Sequence, residues 1–288
     1  MSVISGKIVF CEGGPTSLDA QLLNRILKDV SGEKAAIVGS GGKFTFPVFA
    51  AGYFAQRGGP NRRYLVFRDR DFDRCPATEN AKLLEFGRMF LTHRACIENY
   101  LLDAHLMHRY WCEKHQEKLD NPNSKWGHGD SPGVETLTAW INEGARNVKD
   151  YQAVRWALGE LLQKDETRTH LKTTWTGESG RLPASLTLDD CRHEAIQLIE
   201  RFRQAMSIVT VEAFETQLTR YKSQFEQSEF WEQKHYLIWF HGKDVQKAMQ
   251  RLNSQYISLQ EFFKWAVRHI DFTQHADLNE LRGKIEQL

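Results

Sequence analysis

Tyr64-Leu65-Val66-Phe67-Arg68-Asp69-Arg70-Asp71-Phe72-Asp73 runs from four apolar residues straight into three aspartates within five positions. A short apolar run of this kind reads as a buried strand, and the carboxylates then stand where the strand leaves the sheet. A second run, Lys7-Ile8-Val9-Phe10-Cys11, ends as abruptly on Glu12-Gly13-Gly14. Asp and Gly commonly end strands, so either turn alone reads equally as an ordinary acidic turn. Together, a Glu and an Asp-x-Asp at two strand ends supply the oxygen ligands that Mg²⁺ or Mn²⁺ prefers.

Working outward, strand Lys7–Cys11 passes through Gly13-Gly14-Pro15 into a helix for which Ser17 is the N-cap. Leu18, Leu22, Leu23, Ile26 and Leu27 give that helix an apolar face. A second strand over Ala35–Val38 meets the Gly39-Ser40-Gly41-Gly42-Lys43 loop, a helix is predicted over 46–54, and Tyr64–Phe67 is the third strand. Alternating strands and helices predict an α/β fold with a parallel sheet. In such sheets ligands gather at the carboxyl ends of the strands, where Glu12, the glycine loop, Asp69 and Asp71 all fall. The loop lacks the P-loop spacing, and a plain tight turn competes with a phosphate cradle carrying Lys43. Leu83, Phe86, Phe90 and Leu91 fit a helix or a further strand equally well. Glu98, polar inside an apolar stretch, needs a partner: an ion pair to Arg94 or a metal.

The remainder reads as helical, over 134–143, 149–163, 188–206, 211–225, 246–252, 259–269 and 277–287, with polar loops near 121–133 and 165–184. The expected boundary sets a sheet domain at 1–110 apart from a helical domain at 111–288. Aromatic residues at helical spacing in this half (Trp140, Trp156, Trp231, Trp239, Phe262, Phe263, Trp265) are expected in the core.

Composition narrows the function classes. The 288 residues are 41% hydrophobic and 26% charged with a net charge of +1, so no nucleic-acid partner follows from overall charge. Locally, six arginines lie between Arg57 and Arg74, and Arg62, Arg63, Arg68 and Arg70 are candidate phosphate contacts beside the acidic cluster; a solvated edge paired to nearby carboxylates is the plainer reading. Five scattered cysteines without a Cys-x-x-Cys pair point to reduced thiols in the cytoplasm rather than a disulfide scaffold or structural zinc. No apolar run approaches the roughly 18 residues of a membrane span, no room is left for a signal peptide, and no Gly-x-Ser-x-Gly elbow is present.

Glu12-Gly13, an Asp at the following helix start, Asp69-x-Asp71 and Ile97-Glu98-Asn99-Tyr100-Leu101-Leu102 together resemble a TOPRIM domain. The resemblance covers residues 7–102 and is to the branch related to the overcoming-lysogenization-defect nucleases. Phe240-His241-Gly242-Lys243-Asp244 adds a likeness to the stand-alone effectors encoded beside ABC-type ATPases in anti-phage loci, the PARIS defence system among them. The resemblance implies a TOPRIM-like catalytic domain and a Mg²⁺- or Mn²⁺-dependent nuclease acting on DNA or RNA, tRNA included. It also implies an ATPase partner and a homodimer. By position, Glu12 becomes a metal ligand or general base, Asp69 and Asp71 metal ligands, and Glu98 a further acidic residue. The family Asp often stands four residues after the Glu, where this chain has Thr16; Asp19 is the replacement. Lys43, Arg68 or Arg70 are the expected neutralisers of transition-state charge. The competing expectation is a binding or regulatory subunit whose acidic site is vestigial.

Overall fold

In the computed structural model, residues 6–28, 30, 33–41, 63–77, 81–163, 187–207, 209–254 and 256–288 are described. The predicted helix over 46–54, Lys43 and Arg62 lie outside them, as does the whole of the second polar loop.

Five strands form one sheet in the order β2-β1-β3-β5-β4: β1 Ile8–Cys11, β2 Ala36–Gly39, β3 Tyr64–Arg68, β4 Leu84–Phe86 and β5 Met89–Leu91. β1 is parallel to both β2 and β3, and β3 is parallel to β5, while β4 alone runs antiparallel. The fold is thus α/β with a mostly parallel sheet, as the alternation of elements predicts. All four residues of β1 are buried, which suits a central strand covered on both faces. Cys11 pairs with Gly39 on one side and Phe67 on the other. The register therefore brings Glu12, Ser40 and the Asp69 turn out of the sheet at the same edge.

The Leu83–Leu91 ambiguity resolves as a hairpin. Gly87 takes φ +60° at the turn, and each arm is too short for a helix. Helix α1 (Leu18–Ile26) follows β1. Ser17 caps it, its hydroxyl accepting from Ala20 N–H at 3.3 Å and donating to the Glu12 carbonyl at 3.1 Å. Leu22, Leu23 and Ile26 are fully buried beneath it.

Two glycines hold the sheet edge together. Gly13, at φ +73°, exchanges hydrogen bonds with Gly41 at 3.0 and 3.2 Å. A Cβ on Gly39 would stand 2.4 Å from the Gly13 carbonyl oxygen. The two loops approach so closely that only glycine fits at position 39.

The chain divides into two compact units, and not at residue 110. The first comprises 1–71, 75–149 and 229–288; the second 72–74 and 150–228. In the first, the helix Leu259–His269 packs on α1 and on the helix Ala104–Asp120. Tyr110, Phe262 and Trp265 meet there at ring separations of 5.3–5.6 Å. The C-terminal helix Ala276–Glu286 fastens the outer hairpin: Asp277 accepts from His93 N–H at 3.1 Å, Glu280 from Leu83 N–H at 3.2 Å, and Lys284 pairs with Glu85 at 2.7 Å. These late helices belong to the sheet's unit because one packs on α1 and the other is bonded to the outer hairpin. In the second unit Trp156, Tyr221 and Phe225 form the core, and the Tyr221 hydroxyl donates to Glu160 at 2.7 Å.

Residues 134–163 form one continuous helix rather than two. Gly144, between the two expected segments, is a close-packing position: a Cβ there would lie 2.4 Å from Met249 Cγ. Of the expected core aromatics, Trp140, Trp156, Trp239, Phe262, Phe263 and Trp265 are buried, whereas Trp231 is only partly buried. Among the described residues no cysteine forms a disulfide, and no helix is long and apolar enough to cross a membrane.

Candidate functional site

After β3 the backbone is clamped against the segment that follows β5. Arg70 N–H donates to Thr92 Oγ1 at 3.0 Å and Asp71 N–H to the Ala95 carbonyl at 2.8 Å. Asp71 adopts φ +52° in doing so, a conformation that Asp tolerates better than most residues. The Asp69 carboxylate is buried and accepts from Ile97 N–H at 3.0 Å.

The arginines between these aspartates do not face a ligand. Arg70 is wholly buried, and its guanidinium donates to the carbonyls of His93 (3.2 Å), Asp71 (3.3 Å) and Ile238 (2.6 Å). Arg68 is buried too, donating to the Asp69 carbonyl at 3.2 Å. Both serve as backbone braces, which corrects their expected role as nucleic-acid contacts and as neutralisers of transition-state charge. Arg63 is exposed, pairs with Glu33 at 2.9 Å and donates to the Leu288 carbonyl.

The Glu-Asn-Tyr-Leu segment forms a short helix, Glu98–Leu101, whose residues have separate tasks. Asn99 is fully buried, and its Oδ1 accepts from Cys96 N–H (3.2 Å) and Gly242 N–H (2.9 Å), while its Nδ2 donates to the Phe240 carbonyl (2.8 Å). The Tyr100 hydroxyl donates to Asp277. Glu98 turns toward Asp69. Its ion pair is with Lys243, at 3.7 Å, and not with Arg94. Arg94 instead donates to the Asn99 carbonyl at 2.7 Å and lies over the Tyr100 ring.

Asn99 thereby docks Phe240–Gly242 at the sheet edge, and with it the start of the helix Gly242–Leu252. That helix begins four residues before its predicted start, because the partner for its first N–H comes from 143 positions away in sequence. Its docking delivers His241, whose Nε2 lies 3.3 Å from Asp71 Oδ1, and Lys243. Sequence reading gave neither a role; the Gly-Lys-Asp element was the signal that stood in the chain.

The electrostatics describe one crowded acidic locus. Burial, followed by the Asp19, Glu98 and Asp71 carboxylates, pushes Asp69 well above the ordinary carboxylate range. Asp19 is raised to about 7, by burial first and then by Glu12 and Glu98. Cys96 is raised by burial and by Glu98 and Asp69. Burial disfavours the Lys243 ammonium, but Glu98, Asp69 and Asp19 outweigh it and its pKa rises. Asp19 thus feels Glu12 and Glu98, and Asp69 feels Asp19, Glu98 and Asp71, across the sheet edge. Asp73 falls in the second compact unit.

The donor set fits a divalent cation. Asp19 Oδ1 and Glu98 Oε2 are buried without a hydrogen bond, which is costly for a carboxylate unless a cation receives it. One ligand atom each from Asp69, Cys96 and Glu98 lie within 4.8 Å of one another. No family model and no curated protein matches the chain.

Proposed function

We propose that this chain is a metal-dependent nuclease with a TOPRIM-like catalytic sheet, cleaving phosphodiester bonds in DNA or RNA. The observation that carries the reading is the convergence of carboxylates from two strand ends and two helix starts, with buried Asp19 and Glu98 oxygens that accept no hydrogen bond, beside a lysine delivered by a distant helix. Glu12, Asp19, Asp69, Asp71 and Glu98 would hold Mg²⁺ or Mn²⁺. Such an ion, when bound, lowers the pKa of water and stabilises a leaving oxygen. Lys243, held charged by its acidic neighbours, is placed to neutralise a phosphoryl oxygen. His241, oriented through Asp71, is placed to hold or pass a proton. Control by an ABC-type ATPase, a tRNA substrate, homodimerisation and a cytoplasmic, anti-phage role follow from the resemblance and belong to the same proposal.

The Lys243–Glu98 pair favours one other reading, a binding or regulatory subunit in which the ammonium itself offsets the acidic cluster. A thermal shift separates the two. The nuclease reading expects Mn²⁺ to raise the melting temperature and Glu12→Ala to abolish new nucleic-acid ends without unfolding the chain. An active Glu12→Ala protein would sink the assigned role, and no response to Mn²⁺ or Mg²⁺ would favour the regulatory reading.

A further inference from the structure

Among the groups around Asp69, Cys96 is the one for which a magnesium site has no use. Mg²⁺ takes oxygen ligands, whereas thiolates select softer ions. Yet the Cys96 sulfur, an Asp69 oxygen and a Glu98 oxygen form one buried cluster no wider than 4.8 Å. A tetrahedral cation bonded at about 2.3 Å to sulfur and about 2.1 Å to oxygen holds such ligands roughly 3.4–3.6 Å apart, so a closure of at most about 1.4 Å completes three bonds.

Burial and the Glu98 and Asp69 carboxylates disfavour a free thiolate at Cys96, so its sulfur gives up the proton only to a bound cation, and two neighbouring groups suit that exchange. Gly242 N–H, the first residue of an eleven-residue helix, donates to it at 3.2 Å, and a helix N-terminus favours negative charge. The thiol lies 3.0 Å from Asn99 Oδ1. That oxygen keeps the backbone N–H groups of Cys96 and Gly242 as donors once the thiol proton has gone. Glu98 is only 7% exposed; its Oε1 pairs with Lys243 at 3.7 Å, while its buried Oε2 makes no hydrogen bond.

We propose that Asp69, Cys96 and Glu98 bind one divalent cation of the Co²⁺, Fe²⁺ or Zn²⁺ class through a sulfur bond, in preference to Mg²⁺. The proposal rests on the reading of this sheet edge as a cation site and specifies which ion it selects. As the ion binds, the Cys96 S–H bond breaks, its proton passes to solvent, and a sulfur–metal bond forms. No electron is transferred.

The test is titration of the full chain with Co²⁺ alone, followed by near-ultraviolet absorbance and cobalt-edge X-ray absorption. The expected result is a sulfur-to-cobalt charge-transfer band saturating at one ion per chain, with one sulfur at about 2.3 Å. Cys96→Ser should lose the band and bind Co²⁺ about tenfold or more weakly. Cobalt bound without sulfur, or a band that survives in Cys96→Ser, overturns the proposal while leaving the oxygen-ligand nuclease reading intact. Failure to bind Co²⁺, Mn²⁺ and Mg²⁺ alike overturns both. The X-ray measurement uses the unaltered protein, so it decides the matter even if Cys96→Ser does not fold.

Discussion

Asn99 Oδ1 accepts the backbone N–H of Gly242 at 2.9 Å, and this bond joins the short helix after β5 to the helix that carries Lys243. The same amide holds Cys96 N–H and the Phe240 carbonyl. One buried side chain therefore assembles the basic half of the site against the acidic half.

Asn99→Ala leaves the Cys96 N–H and the Phe240 carbonyl without their side-chain partner and the Gly242 N–H with only the Cys96 sulfur. Each uncompensated group costs about 1–3 kcal/mol, so a loss of roughly 3 kcal/mol or more is expected in urea unfolding. A variant within about 0.5 kcal/mol of the parent would show that the amide does not hold the segment.

Gly39→Ala places a methyl 2.4 Å from the Gly13 carbonyl oxygen. Backbone on both sides must shift, at a cost of about 1–3 kcal/mol, and the turn carrying Glu12 moves with it. The expected outcome is a lower melting temperature together with weaker Mn²⁺ binding. An unchanged Mn²⁺ affinity would separate the glycine loop from the site.

Arg70→Lys removes a planar fork that reaches three carbonyls. A lysine cannot reproduce that geometry, so the expected effect is destabilisation of about 2–4 kcal/mol. The salt dependence of nucleic-acid binding should not change, because the side chain does not reach the surface. A reduced salt slope with unaltered stability would restore Arg70 as a phosphate contact.

Acid should weaken the fold through His93 and His275. Burial, reinforced by nearby Arg94, lowers both from the ordinary 6.5 to about 4; Asp277 opposes the shift in each. Between these values the unfolded chain binds protons that the folded chain refuses. Stability is therefore complete above pH 6.5 and falls as the pH drops toward 4. His93 contributes on the order of 3 kcal/mol, and half-buried, partly screened His275 less. Asp19, raised to about 7, gains stability over the same window as the pH falls and opposes the histidines, so the urea midpoints at pH 7 and pH 5 are compared in the parent and in His93→Gln: the parent should lose more, or gain less, on acidification. An equal shift in both would contradict the assignment.

The sheet was legible because its signals are local. Ile8–Cys11 and Tyr64–Arg68 are apolar runs bounded by acidic turns, and Ser17 announces its helix by type and position. The acidic half of the site was legible for the same reason, since a strand's end fixes where its next residue stands. The basic half was not. Lys243 reaches Glu98 only because Asn99 captures Gly242, a pairing that no helical or strand period encodes. Arg70 misled because charge and sequence position cannot distinguish a guanidinium aimed at solvent from one folded back onto three carbonyls. The hairpin at Leu84–Leu91 was ambiguous because three-residue strands are shorter than any period that could identify them. The boundary at 110 failed because the late helix Leu259–His269 packs against α1, a contact visible only in three dimensions.

The central claim is that the carboxylates at the sheet edge cleave phosphodiester bonds. Its most direct measurement is sequencing of the ends produced when total nucleic acid is incubated with purified chain and Mn²⁺, beside an Asp69→Asn variant of equal melting temperature. The account predicts new, Mn²⁺-dependent ends with the parent chain and none with Asp69→Asn. The same ends in both samples, or none in either once any inhibitory partner has been removed, would contradict it.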